Sequence, residues 1–264
     1  ILYDNTDIVY IASNHNSHTP QAIECMKNNC DVYIEKPIAT SWDQLATLKE
    51  AKQNYNKKIF VGYNRPFSPG ILEIKKIYKL DETPFTLSCF VIGHKLPQDH
   101  WYRNPKEGTR ISGNLGHWID LTVNILNWRI KKIKYLDIKI TFSNEKQSDE
   151  NIILSFISDN ENLINIIFTT RSEPFEGVNE TLNFQSNNLI AKIHDHRITE
   201  IWENQKKRVI KHKPKNVGHK DAINQPFNSK LMRDWNELLI STKLMLTVSD
   251  MVKNRNENNR FIFE

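Results

Sequence analysis

Cysteine is scarce in this chain of 264 residues: Cys25, Cys30 and Cys89 form an odd set with no CxxC pair. That usage fits a reducing, cytoplasmic setting rather than a disulfide-stapled secreted domain. Glycine is sparse too, 8 against 10 prolines, which excludes collagen-like and low-complexity chains. No apolar run approaches the ~18 residues of a membrane span, and the opening Ile1-Leu2-Tyr3-Asp4 has none of the features of a signal peptide. Neither sign of charge dominates, with 36 Lys and Arg against 31 Asp and Glu, net +5. Because the charges are interspersed, neither a nucleic acid nor a membrane is expected as partner. The two basic clusters, 205–208 and 211–215, have no interleaved aromatics to stack bases and read as a solvated strand edge or loop. Paired asparagines such as Asn28-Asn29 and Asn187-Asn188 read as composition bias, not as a prion-like tract.

What is present is a change of texture along the chain. Asp7 to Ala12, Asp31 to Ile34 and Lys58 to Gly62 are short apolar runs of the kind buried on both faces of a parallel sheet. Between them, a helix with Pro20 in its first turn carries Ala22, Ile23 and Met26 on one face, and a second helix over 41–53 is capped by Ser41. This alternation predicts right-handed βαβ crossovers. Beyond Tyr63 come a connecting helix over Ile71 to Leu80, a strand over Phe85 to His94 and an apolar helix over Asn114 to Trp128. Seven alternating strands follow between Lys131 and Ile210, separated by polar turns and predicting an antiparallel sheet. A long helix over Ser229 to Met251, with Leu231, Trp235, Leu238, Leu239 and Leu246 buried, ends the pattern. The fold class is α/β plus α+β: part of a Rossmann parallel sheet, then an α+β domain with an open, mainly antiparallel sheet. The division predicted is 1–65 and 66–264.

Ligands of a doubly wound sheet sit outside the carboxyl ends of its strands. Ser13, Asn14, His15 and His18 follow the first strand just before a helix N-terminus, where backbone N–H groups suit a pyrophosphate or ribose. An ordinary polar βα loop is the bland alternative. Glu35-Lys36-Pro37 ends the second strand, and a partly buried lysine there can hold or release a proton; alone, the tripeptide also reads as a charged loop.

In combination the motifs are more specific. Asp7 to His18, Val32-Tyr-Ile-Glu-Lys-Pro37 and Val61-Gly-Tyr-Asn-Arg65, in this order, resemble the Gfo/Idh/MocA family of NAD(P)-dependent oxidoreductases. The likeness continues through Leu96-Pro-Gln-Asp-His-Trp101, Gly108-Thr-Arg-Ile111 and Gly116-His-Trp-Ile-Asp120. It implies a Rossmann domain, a second domain whose open sheet often mediates homo-oligomerisation, NAD or NADP as cofactor, and a small polyhydroxylated substrate such as a sugar, inositol or nucleotide-sugar. It also implies Lys36 near the nicotinamide and a substrate hydroxyl, and His117 as acid/base or substrate ligand at the head of the second-domain helix. Glu35, Pro37 and Arg65 join Ser13, Asn14, His15 and His18 as cofactor-side residues. Trp101, Arg103, Arg110, Asn114 and Asp120 are the substrate-side candidates. An aromatic in the 100–103 loop could stack on a sugar ring, and Asp120 could orient His117 or simply pack.

Two departures stand against this pattern. Many family members carry Asp four residues before the histidine, where this chain has Gly113. The family's glycine-rich first turn and acidic ribose residue would precede Asp7 and are not in these 264 residues, so this chain alone is expected to bind NAD(H) or NADP(H) weakly or not at all. The rival reading is a non-catalytic substrate-binding or oligomerisation module; within the family, lyase or glycosidase chemistry is a further variant. His194-Asp195-His196 could form a metal pair on one strand face, but no third ligand stands at recognisable spacing and no metal is expected.

Overall fold

The computed structural model describes Tyr3 and residues 5–78, 83–143 and 149–263. They fall into two compact units, one of 1–64, 98–120 and 219–249, the other of 65–97, 121–218 and 250–264.

The first unit is built on β1 (Ile8–Ile11), β2 (Asp31–Ile34) and β3 (Ile59–Val61), parallel and in that spatial order. α1 (His15–Lys27) and α2 (Trp42–Tyr55) are the crossovers. Ile11, Val32, Ile34 and Val61 from the strands, Ala22 and Met26 from α1 and Leu48 from α2 form its core, joined by Leu238 from a later helix. Such apolar β-branched strands need both faces covered, as a parallel sheet provides.

α1 begins a full turn earlier than Pro20 suggested. Asn14 has extended N-cap geometry (φ −63°, ψ 145°), and Pro20 lies inside the helix. A proline there has no N–H for the carbonyl of Asn16. The amide of Gln44, at the start of α2, supplies the donor instead, 2.9 Å from that carbonyl. Gln44 Oε1 also accepts from the Thr40 N–H, and Ser41 Oγ accepts from the Gln44 N–H. One glutamine thus joins the starts of both crossover helices.

In the second unit, α3 (Pro69–Tyr78) leads to β4 (Thr86–Ile92); Leu80, placed in this helix by its apolar pattern, lies outside the described residues. The π turn at Ile111–Leu115 and the head of α4 (Gly116–Leu126), which follows it, belong to the first unit. The helical pattern from Asn114 therefore begins with a wider turn than periodicity can register. β5 (Tyr135–Phe142), β6 (Ile152–Ser158), β7 (Leu163–Thr169), β8 (Asn179–Ser186), β9 (Leu189–His194), β10 (Ile198–Glu203) and β11 (Lys206–Lys211) follow. α5 (His219–Ile223) and most of α6 (Trp235–Asn254) belong to the first unit, and β12 (Asn258–Ile262) to the second.

The sheet order is β11-β10-β9-β8-β4-β7-β6-β5-β12, antiparallel except for the parallel β4–β7 pair. β12 was not legible: Asn258, Asn259 and Arg260 look like a polar tail, but they pair with Asp137 to Lys139 of β5. α6 starts six residues later than its apolar pattern, and Leu231 lies in a separate 3-10 turn. Ile164, Ile166 and Phe168 of β7 are buried within the chain. The opposite face of the sheet exposes Phe90, Ile153, Ile157 and Leu163 instead.

Inside this unit Glu180 is fully buried between Arg65, at 2.6 Å, and His196, at 3.3 Å. Burial alone would raise its pKa, but Arg65 and His196 outweigh that and hold it well below the carboxylate range. His196 therefore points inward, whereas His194 is exposed on β9 against Glu200, so the pair shares no face.

Candidate functional site

The carboxyl ends of β1 and β2 and the segment 98–120 lie in one unit and bring most of the sequence candidates together. Ser13 and Asn14 are exposed at the end of β1, where Ser13 Oγ donates to Gln21 Oε1. Asn14 makes no side-chain cap. The anion at the head of α1 is the buried carboxylate of Glu107, which accepts from the Asn16 N–H at 2.9 Å. A carboxylate is favoured there because the first-turn N–H groups are unpaired and carry partial positive charge. That N–H is consequently engaged by the protein itself rather than open to a phosphate.

His15 is buried, with Nδ1 2.9 Å from the main-chain oxygen of Glu107. A carbonyl only accepts, so Nδ1 carries the proton and Nε2 of the neutral ring presents a lone pair. Burial lowers its pKa to about 3; the Glu107 carbonyl opposes the shift, and the charges of Lys36 and His18 add to it. Trp101 stands edge-on to this ring at 4.6 Å and Tyr102 lies 5.0 Å from it. His18, one turn on, ties the ends of two strands, its Nδ1 2.8 Å from the Pro37 carbonyl and its Nε2 3.0 Å from that of Ser13.

Lys36 is half-buried and donates from Nζ to the Gly113 carbonyl at 2.7 Å. Glu35 packs under the end of β3, where a Cβ at Gly62 would come within 2.6 Å of its carboxylate. Only glycine lets strand and carboxylate approach so closely. Asn114, beside Gly113, has a buried Oδ1 without a hydrogen-bond partner among the described residues. His117 lies in the first turn of α4, its ring edge-on to Tyr63 at 6.4 Å.

Asp120 is fully buried and paired with Arg233 at 2.7 Å, and Arg233 also bonds Glu237. Burial raises the Asp120 pKa despite the arginine. Arg110 is buried ahead of the π turn; Arg103 is half-buried and Trp101 exposed. Arg65 belongs to the other unit, where it donates to Glu180. Sequence reading did not single out Glu107, Tyr63 or Arg233, and it had Tyr102 only among the aromatics of the 100–103 loop. Tyr63 was visible in the Val61 to Arg65 motif, and Arg233 in its i,i+4 spacing from Glu237; Glu107, 91 positions from Asn16, left no local signal.

The polar, partly exposed strand ends carrying Ser13, Asn14 and Lys36 fit the nicotinamide-ribose end of a dinucleotide, since they offer donors and acceptors outside the carboxyl ends of a parallel sheet. Among the described residues no helix is long and apolar enough to cross a membrane.

Residues 2–63 match the model of the oxidoreductase family with an NAD-binding Rossmann fold, Gfo/Idh/MocA. The chain is 35% identical over 77 residues to an inositol 2-dehydrogenase of Rubrobacter xylanophilus, 29% of this chain and 22% of that protein. It is 26% identical over 149 residues to an inositol 2-dehydrogenase/D-chiro-inositol 3-dehydrogenase of Halalkalibacterium halodurans, 54% of this chain and 39% of that protein. The matches thus span well under half the length of these curated relatives. An oxidoreductase domain protein of Kribbella flavida shares the fold, with a TM-score of 0.78 at 11% identity over 99% of this chain and 81% of that one.

Proposed function

From the premise that this chain carries, in residues 2–63, part of the Rossmann domain of a Gfo/Idh/MocA oxidoreductase, we propose that the whole protein oxidises a secondary hydroxyl of a cyclic polyol or sugar, or reduces the corresponding ketone. Bound NAD or NADP would supply the hydride acceptor or donor. The observation that carries the reading is the Lys36 ammonium on the Gly113 carbonyl, four residues before His117. The inositol dehydrogenase names of the two curated relatives support the substrate class.

Removing hydride from a carbinol carbon leaves the hydroxyl proton to be taken up and negative charge growing on oxygen. The Lys36 ammonium, oriented by the Gly113 carbonyl, can donate to that oxygen. His117 can accept the proton, as imidazole does near neutral pH. Asn114 Oδ1, lacking a protein donor among the described residues, suits a neighbouring hydroxyl, and Trp101 offers an exposed ring for the apolar face of a sugar. Asp120 anchors the His117 helix through Arg233.

In the full-length protein, Lys36→Ala and His117→Ala should each lower turnover by roughly 10²–10⁴-fold in steady-state assays with inositols and sugars. Asp120→Asn should cost stability more than turnover. Near wild-type turnover in both alanine variants would overturn the reading.

A further inference from the structure

Resting on the reading of Lys36 as a residue of the site, we propose that Tyr102 is a positioning residue for Lys36, its ring covering the Gly113 backbone and holding the carbonyl that receives the ammonium. Three independent features converge on this contact. Gly113 sits in the middle of the π turn 111–115, a wider turn in which carbonyls leave the regular α ladder and which recurs at functional positions in helices. A Cβ added at Gly113 would run into the Tyr102 ring, whose Cε2, Cζ and Cδ2 are its nearest neighbours. Lys36 Nζ donates to the Gly113 oxygen at 2.7 Å. Position 113 therefore holds no side chain because the tyrosine ring occupies that volume.

The ring is fixed from several sides. It meets Trp101 at 4.3 Å, His15 at 5.0 Å and His100 at 5.1 Å. The Tyr102 N–H also donates to His100 Nδ1 at 3.1 Å. An aromatic face laid over a peptide excludes water that would otherwise compete for the carbonyl.

The Gly113 carbonyl, held by the tyrosine ring, orients the ammonium towards the oxygen from which the proton departs.

The test needs neither cofactor nor turnover, so its outcome is separable from that of the proposed reaction. Acetylation of Lys36 by an N-hydroxysuccinimide ester, followed residue by residue by mass spectrometry in the full-length protein, reports access to Nζ. Tyr102→Ala should raise the Lys36 rate several-fold while Lys27 and Lys52, on helices of the same unit, stay unchanged. Gly113→Ala, which displaces the ring, should do the same. Tyr102→Phe should keep the wild-type rate, because the ring and not the hydroxyl does the covering. If Tyr102→Ala fails to fold by thermal melt, Tyr102→Leu, which keeps apolar bulk without a flat ring, gives the same reading. A Lys36 rate within twofold of wild type in the folded variant, or a rise in Tyr102→Phe equal to that in Tyr102→Ala, overturns the proposal.

Discussion

His15 and His18 are one turn apart on α1 and both buried, yet their surroundings assign them different work. His18 spans the carbonyls of Ser13 and Pro37 and so fixes the ends of β1 and β2 against each other. His15 makes one such bond and keeps a neutral ring, with its pKa lowered to about 3 chiefly by burial. Unfolded, an imidazole takes up its proton near pH 6.5. Between that value and about 3 the unfolded state binds one more proton than the folded state, so this group makes stability fall as the pH drops through that window. The slope is at most ~1.4 kcal/mol per pH unit, and the dependence ends below about 3. His15→Asn keeps an amide donor for Glu107 and removes the titration. Urea unfolding should therefore show the wild type ahead of His15→Asn at pH 7, with the gap narrowing towards pH 4; a constant gap would contradict the buried neutral imidazole.

Among the elements, α1 and α2 show how a local rule is kept by a remote residue. Pro20 inside a helix ordinarily leaves the carbonyl one turn back without its donor, a loss of ~1–3 kcal/mol where that group is buried. The Gln44 amide restores it. Gln44→Ala should accordingly destabilise the chain by ~1–3 kcal/mol in chemical denaturation. In a Pro20→Ala background, where a backbone N–H is again present at position 20, the same substitution should cost less, with a coupling of at least ~0.5 kcal/mol. Equal costs in both backgrounds would mean that Gln44 acts only through Thr40 and Ser41.

For the whole molecule, the nine-stranded sheet presents an exposed apolar face. Phe90, Ile167 and Ile153 are in register across β4, β7 and β6, as are Leu163 and Ile157. Phe90, Ile153, Ile157 and Leu163 are exposed, forming an apolar band on the face opposite the buried Ile164, Ile166 and Phe168. A band of this kind marks an association surface, and we propose a homo-oligomer formed across it. Light scattering at tens of micromolar should give a dimer or tetramer, and Ile157→Lys together with Phe90→Lys should shift it to monomer; a wild-type chain that is monomeric throughout would refute this.

Sequence alone determined the parallel strand-helix alternation, the Ser41 cap and the run of strands after Lys131, because these rest on apolar periodicity and on caps within one turn of chain. Short motifs that keep their order also pointed to the family whose model residues 2–63 match. Contacts between separated positions were beyond sequence alone: Glu107 on the head of α1, Gln44 beneath Pro20, Tyr102 against Gly113 and Arg233 on Asp120 join residues 11 to 113 positions apart. Nothing local distinguishes a carboxylate that caps a remote helix from one that faces water. The π turn at 111–115 and the strand at Asn258–Ile262 were hidden for the same reason, since a wide turn is set by what packs against it and a polar strand by the β5 edge it pairs with. Only the tertiary structure decided that Lys36 rests on a main-chain oxygen, because that partner is an atom every residue carries.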